Sequence, residues 1–131
     1  MILNIGDSLT LNKEPISRTT LALFAGASGD HNPIHIDIDF VKEVGLDDVF
    51  AHGMLGMAYL GQLLTNNFPQ EKIKKYSAKF ISITQVGAEF KLVGNIADII
   101  TLNDQKCYKI EIRAQDQNED IKIIGEAIIA V

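Results

Sequence analysis

The sequence predicts an α+β fold in which one antiparallel sheet wraps a single long, buried helix. Three observations carry that expectation. The run Met54-Leu55-Gly56-Met57-Ala58-Tyr59-Leu60-Gly61-Gln62-Leu63-Leu64 is apolar nearly all round, the pattern of a helix enclosed on every side. After Pro69 the hydrophobic period changes to two, the period of strands. The later segments are separated by turn formers, Asn103-Asp104 and Asn118-Glu119-Asp120, as in a meander. With 131 residues, 47% of them hydrophobic and 22% charged, the chain is the size of one domain, spanning 1–131, and too apolar for a disordered one.

Taken in order, an early strand is expected within residues 2–11. Ser17 is placed to cap a short helix over 17–25, with Leu21, Phe24 and Ala25 on one side. Residues 26–36 hold Gly26, Gly29, Asp30, Asn32 and Pro33, which is loop chemistry. Asp37 can cap a second helix over 38–44, closed by Gly45 and followed by a turn over 45–48. The buried helix begins near Gly53 and stops before Pro69. Strands are then expected over 76–83, 88–93, 106–113 and 121–131, the last interrupted by Gly125. A sheet that wraps one helix leaves an edge and a face uncovered, so the chain is expected to form a homodimer.

Twelve Lys and Arg against 17 Asp and Glu give a net charge of −5, which argues against a nucleic-acid partner. The single cysteine, Cys107, cannot form an intramolecular disulfide and reads as a small hydrophobe in a strand. The first residues, Met1-Ile2-Leu3-Asn4-Ile5-Gly6-Asp7, lack a basic leader followed by an apolar run, so no signal peptide is expected. The longest apolar stretch, residues 51–64, is shorter than the roughly 20 residues of a spanning helix. The chain therefore reads as soluble and cytoplasmic.

Two short stretches carry the chemistry. In Gly29-Asp30-His31-Asn32-Pro33-Ile34-His35 the proline fixes its own backbone and biases Asn32 away from helix, so the loop is stiff. A stiff loop can aim the Asp30 carboxylate and the His35 imidazole at one small volume, where they could relay a proton through a bound water. The same run is also an ordinary turn, and from its residues alone both readings stand. The second stretch is Ala51-His52-Gly53-Met54. Gly53 lies at the start of the buried helix, where backbone N–H groups are unpaired and the helix dipole is positive. A ligand oxygen can approach a glycine N–H closely, so a carbonyl could be polarised there. Gly56 and Gly61 read as close-packing positions. The helix and its apolar flank would form a greasy slot that suits an acyl chain.

Together these stretches resemble the MaoC-like family of R-specific enoyl-thioester hydratases and 3-hydroxyacyl-thioester dehydratases. The resemblance implies the hotdog fold, in which a sheet wraps a long central helix, and assembly into dimers or larger complexes. It makes Asp30 and His35 the catalytic pair, holding one water for attack at C3 of a trans-2-enoyl thioester with syn protonation at C2. It assigns the Gly53 N–H to the thioester carbonyl oxygen, and Asn32 to orienting the loop or a substrate oxygen. His31 falls at a variable position, and His52 is read as a structural neighbour that fixes the helix start. No metal is implied, and no cofactor beyond coenzyme A or phosphopantetheine as part of the substrate. Three positions depart from the family pattern: Ala27, Val41 and Gly61, the last where some R-hydratases carry a serine.

A substrate bearing coenzyme A or an acyl-carrier protein needs local positive charge for its phosphates. Lys72, Lys74 and Lys75 are the candidates, with Lys79 nearby; they also read as a solvated charged stretch. Beside the hydratase reading stand an acyl-CoA thioesterase of the same fold, a subunit of a two-component dehydratase paired with a heterologous hotdog chain, and a non-catalytic acyl- or lipid-binding module. The thioesterase gives the loop from Asp30 to His35 no clear purpose. A stabilising subunit would tend to have lost one or both of its catalytic groups, whereas this chain keeps both.

Overall fold

A computed structural model describes residues 2–131. Strand β1 (Ser8–Asn12) leads into helix α1 (Arg18–Ser28), a single 3-10 turn (Pro33–His35) and helix α2 (Ile38–Glu43). The long helix α3 (Gly53–Asn67) follows, and then strands β2 (Ile73–Phe80), β3 (Lys91–Leu102), β4 (Gln105–Gln115) and β5 (Ile121–Ala130). The strands form one antiparallel sheet in the order β1-β3-β4-β5-β2. Helix α3 packs on β1, β2, β3 and β4, so the sheet curls around it as expected.

The local chemistry explains each boundary. The Ser17 hydroxyl accepts from the Thr20 N–H and opens α1. This helix runs three residues past the expected end. Gly26 stays helical with open space around it, and the chain turns left-handed only at Gly29, φ 78°. Asp37 caps α2 by accepting from the N–H groups of Asp39 and Phe40, and Gly45 follows at φ 90°. The expected early strand is confined to β1; ahead of it residues 4–7 form a turn closed by the Asp7 carboxylate on the Asn4 N–H.

The largest departures lie in the sheet. Strand β2 begins at Ile73, ahead of the expected position, and ends at Phe80, so residues 81–83 are not strand. Residues 88–90 precede β3, which continues through Leu102, well beyond the expected end. Gly94 there gives α3 room, since a Cβ would meet the Ile110 side chain at 3.2 Å and Leu63 at 3.5 Å. A bulge between Ile96 and Asp98 breaks the alternation that would have marked the rest of the strand. Asn103 and Asp104 both have positive φ, the conformation of a tight hairpin turn.

Helix α3 is not enclosed on every side within one chain. Leu55, Gly56, Leu60, Leu63 and Leu64 are buried, whereas Met54 is 55% exposed and Ala58 is exposed too. The close-packing expectation holds for Gly56, where a Cβ would lie 2.5 Å from the Ile123 side chain. It fails for Gly61, whose nearest neighbour, the Tyr76 ring, would be at an ordinary 3.8 Å. Among the described residues, no helix is long and apolar enough to cross a membrane.

Candidate active site

The loop after α1 is built by its own side chains. Asp30 Oδ1 accepts from the Asn32 N–H, and Asn32 Oδ1 accepts from the Ile34 N–H, which caps the Pro33–His35 turn. Asn32 therefore shapes the loop. The turn carries His35 inward, where its side chain is 9% exposed, while that of Asp30 stays 53% exposed. His35 Nδ1 lies 2.7 Å from the Phe50 carbonyl oxygen. A carbonyl only accepts, so Nδ1 carries the proton and Nε2 presents a free lone pair. That Nε2 stands 3.8 Å from Asp30 Oδ2. The separation is too long for a direct hydrogen bond, but one water oxygen beside the pair can reach both.

His52 completes the packing. It is 2% exposed, its Nε2–H donates to the Asp30 carbonyl oxygen at 3.1 Å, and its ring stacks on His35 with centroids 3.9 Å apart. Phe24 meets the ring edge-on at 4.9 Å. Burial holds the His52 pKa below its ordinary 6.5; the bond to the Asp30 carbonyl opposes this shift and the neighbouring His35 adds to it. His52 sits at the N-cap of α3 but makes no side-chain capping bond, so it ties down the Asp30 loop instead of fixing the helix start. The two loops thus exchange contacts: His35 bonds the Phe50 carbonyl, and His52 bonds the Asp30 carbonyl.

Gly53 is the first residue of α3, where a backbone N–H has no acceptor within the helix. The Phe80 ring would lie 3.2 Å from a Cβ at this position, so only glycine fits easily. A cavity of about 340 Å³ opens here, with His35 and Gly53 on one side and residues 80–84 on the other. A more apolar groove of about 530 Å³, lined by Phe24, Met54, Met57, Gly61 and Tyr76, runs away from Asp30 along α3. Tyr76 donates its hydroxyl to the Met57 carbonyl at 2.5 Å, and burial pushes its pKa up to about 12, so the ring is a neutral wall.

Asp30, His35 and Gly53 are therefore brought together as the sequence implied. Lys72, Lys74 and Lys75 are not. Lys72 ends a 3-10 turn just ahead of β2, and Lys74 and Lys75 lie at the start of that strand, whose far end, Phe80, covers Gly53; the six steps from Lys74 to Phe80 span about 20 Å. Lys75 instead approaches Glu126, at 3.7 Å. His31 is exposed, and Val41 is fully buried as a packing residue. Asp30, His35 and His52 offer ligand atoms within 4.8 Å of one another and are the residues that could hold a metal ion, company that sequence spacing did not reveal. The two rings stack 27° from parallel, and a lone pair lies in its ring plane, so their free nitrogens do not converge on one point. The Phe50 carbonyl and Tyr76 carried no sequence signal, because a backbone acceptor and a strand tyrosine show their roles only once folded.

Comparison with known proteins bears on the family and the fold. The family model described as the MaoC like domain matches residues 3–118. The chain is 29% identical over 133 residues to the mitochondrial 3-hydroxyacyl-[acyl-carrier-protein] dehydratase of Arabidopsis thaliana, covering 96% of this chain and 76% of the relative. It is 28% identical over 109 residues to the fatty acid synthase subunit beta of Saccharomyces cerevisiae, where the match covers 81% of this chain but spans only 5% of that much longer protein. Among solved structures, the (R)-hydratase from A. caviae superposes with a TM-score of 0.82 at 25% identity, covering 97% of this chain and 96% of that one. The hotdog architecture is thereby shared.

Proposed function

The chain belongs to the MaoC-like domain family, and from that premise we propose that it is a hydro-lyase adding water reversibly and syn across the double bond of trans-2-enoyl thioesters to give R-3-hydroxyacyl thioesters. The observation that carries the reading is the placement of His35: its Nδ1 proton is committed to Phe50, and its free Nε2 lies 3.8 Å from the Asp30 carboxylate.

In this mechanism the Gly53 N–H donates a hydrogen bond to the thioester carbonyl oxygen and so draws electron density from the conjugated double bond, which makes C3 electrophilic. Asp30 and His35 hold the water. As its oxygen bonds to C3, its proton passes to the pair, and a proton is returned to C2 from the same side. H and OH are thus added without any change of redox state, so the reading calls for no metal or redox cofactor. The acyl tail follows the groove along α3, and the thioester arm leaves past residues 80–84 toward coenzyme A or an acyl-carrier protein. Lys72, Lys74 and Lys75, around the start of β2 and away from Gly53, are the candidates for the local positive charge at the far end of that arm.

The same proposal extends to assembly. The bare strip at Met54 and Ala58 and the outer edge of β2 suit a second copy of the chain, with a heterologous hotdog subunit as the other occupant.

Crotonyl-CoA and a longer trans-2-enoyl-CoA test the chemistry, followed by loss of the conjugated thioester absorbance and chiral analysis of the product. Asp30→Asn should lower kcat by about 10²–10⁴-fold while leaving the melting temperature nearly unchanged, since this carboxylate is half exposed. Release of free thiol in place of hydration would move the assignment to a thioesterase.

A further inference from the structure

Behind the wall opposite Gly53 lies a buried ion pair that the reaction itself does not use. The Lys122 and Asp116 side chains are only 8% and 0% exposed, with Nζ and Oδ2 3.8 Å apart. Asp116 is held in place from several directions: Oδ1 accepts from the N–H groups of Asn118 and Asp120, and Oδ2 accepts from Gln85 Nε2 at 3.0 Å. Lys122 grips the neighbouring loop at three successive residues. Its carbonyl accepts from the N–H groups of Ile81 and Ser82, at 2.8 and 3.4 Å, and its ammonium donates to the Ile83 carbonyl at 2.9 Å. Residues 81–83 belong to no strand, so they lack a ladder to hold them.

From there the contacts run directly into the site. Thr84 accepts from the Ala51 N–H at 2.8 Å, and Gln85 forms an isolated bridge with Phe50. Phe50 supplies the carbonyl that fixes the tautomer and direction of His35, and Ala51 leads through His52 to Gly53. Residues 81–84 also line the cavity shared by His35 and Gly53. A lysine is costly to bury when a methionine would fill the same space. What the ammonium adds is a grip on one backbone carbonyl.

Resting on the hydratase reading, we infer that Lys122 and Asp116 are positioning residues: clamping residues 81–85, they set the Phe50 carbonyl and the Ala51 N–H, and through these the His35 lone pair and the Gly53 N–H.

The experiment compares the full chain with Lys122→Met, which keeps the stem and the backbone carbonyl, with Asp116→Asn, and with Lys109→Met on the outer face of the sheet as control. Steady-state kcat and KM with an enoyl thioester are measured beside the imidazole ¹H–¹⁵N spectrum of the substrate-free protein, in which the His35 Nδ1–H is the reporter. In Lys122→Met kcat should fall about 10–100-fold, since displacing a catalytic group by about 1 Å costs that much, and by more than KM rises. The His35 signal should shift or exchange faster, while the control matches the parent in both measurements. A folded Lys122→Met with parental kcat overturns the inference, whether or not the signal moves. Should Lys122→Met not fold, Asp116→Asn decides: it keeps the turn bonds to Oδ1, Gln85 can turn its amide over to match it, and parental kcat there overturns the inference equally. If the parent hydrates no enoyl thioester, the hydratase reading fails by itself. The His35 signal then decides positioning alone: a shift sustains it and an unmoved resonance overturns it.

Discussion

His52 is the side chain whose charge the fold controls most visibly. It is stacked on His35, met edge-on by Phe24, and donates to the Asp30 carbonyl, and its buried Nδ1 has no protein partner. Burial lowers its pKa below 6.5, so between that lowered value and 6.5 the unfolded chain binds a proton that the folded chain refuses. Stability carried by neutral His52 is thus complete above about pH 6.5 and is lost as pH falls through the window below it. His52→Phe keeps an aromatic ring in the stack and removes this titration. The melting temperature of the variant should therefore fall less steeply than that of the parent from about pH 7.5 to about pH 5.5; parallel slopes would exclude His52 as the source. Asp116 follows the same sign at lower pH. Burial alone would raise its pKa, but the bonds from Gln85, Asp120 and Asn118 and the charge of Lys122 hold it below 3.8. Its contribution is present above that value and disappears as pH falls through the lowered one.

At the scale of elements, the glycines of α3 separate into two kinds. A methyl at Gly56 would meet Ile123 at 2.5 Å and Phe90 at 3.3 Å, so Gly56→Ala should cost about 1–3 kcal/mol through overpacking against the sheet. Gly61→Ala adds only an ordinary contact with Tyr76 and should stay within about 0.5 kcal/mol of the parent or stabilise the helix. Denaturant unfolding of the two variants side by side checks the difference. The sequence did not separate them, because both are glycines on an all-apolar helix and only the partner strands tell them apart. Caps were legible, since Ser17 and Asp37 act on backbone two or three residues away. The length of β3 was not: its alternation is interrupted by Gly94 and by the bulge after Ile96, and its pairing with β1 and β4 overrides both. The same divide runs through the site. Residue type and local turn chemistry marked Asp30, His35 and Gly53 as candidates, and it was the family resemblance that gave them roles. The Phe50 carbonyl and the Lys122 clamp depend on pairings across tens of residues and leave no local mark.

For the whole molecule, one chain closes its sheet around α3 on one side only. Met54 and Ala58 remain bare, Phe80, Ile81 and Ile83 are exposed near the same end, and β2 has no partner on its outer side. Apolar surface beside a free strand edge is stabilised by another strand and helix of the same kind. Light scattering at micromolar concentration should therefore give twice the 14.4 kDa chain mass. A monomer would remove the assembly proposal, and doubling only in the presence of a different hotdog chain would assign the face to that subunit.

The exchange of carbonyls between the two histidines has a dynamic consequence. Each loop carries the donor that satisfies the other, so neither can swing away without stranding both a ring N–H and a backbone oxygen in the interior. The segments around Asp30 and around Phe50, twenty residues apart along the chain, therefore open and close as one cooperative unit. The arrangement of Asp30, His35 and His52 is accordingly either assembled or absent, with few half-formed states between.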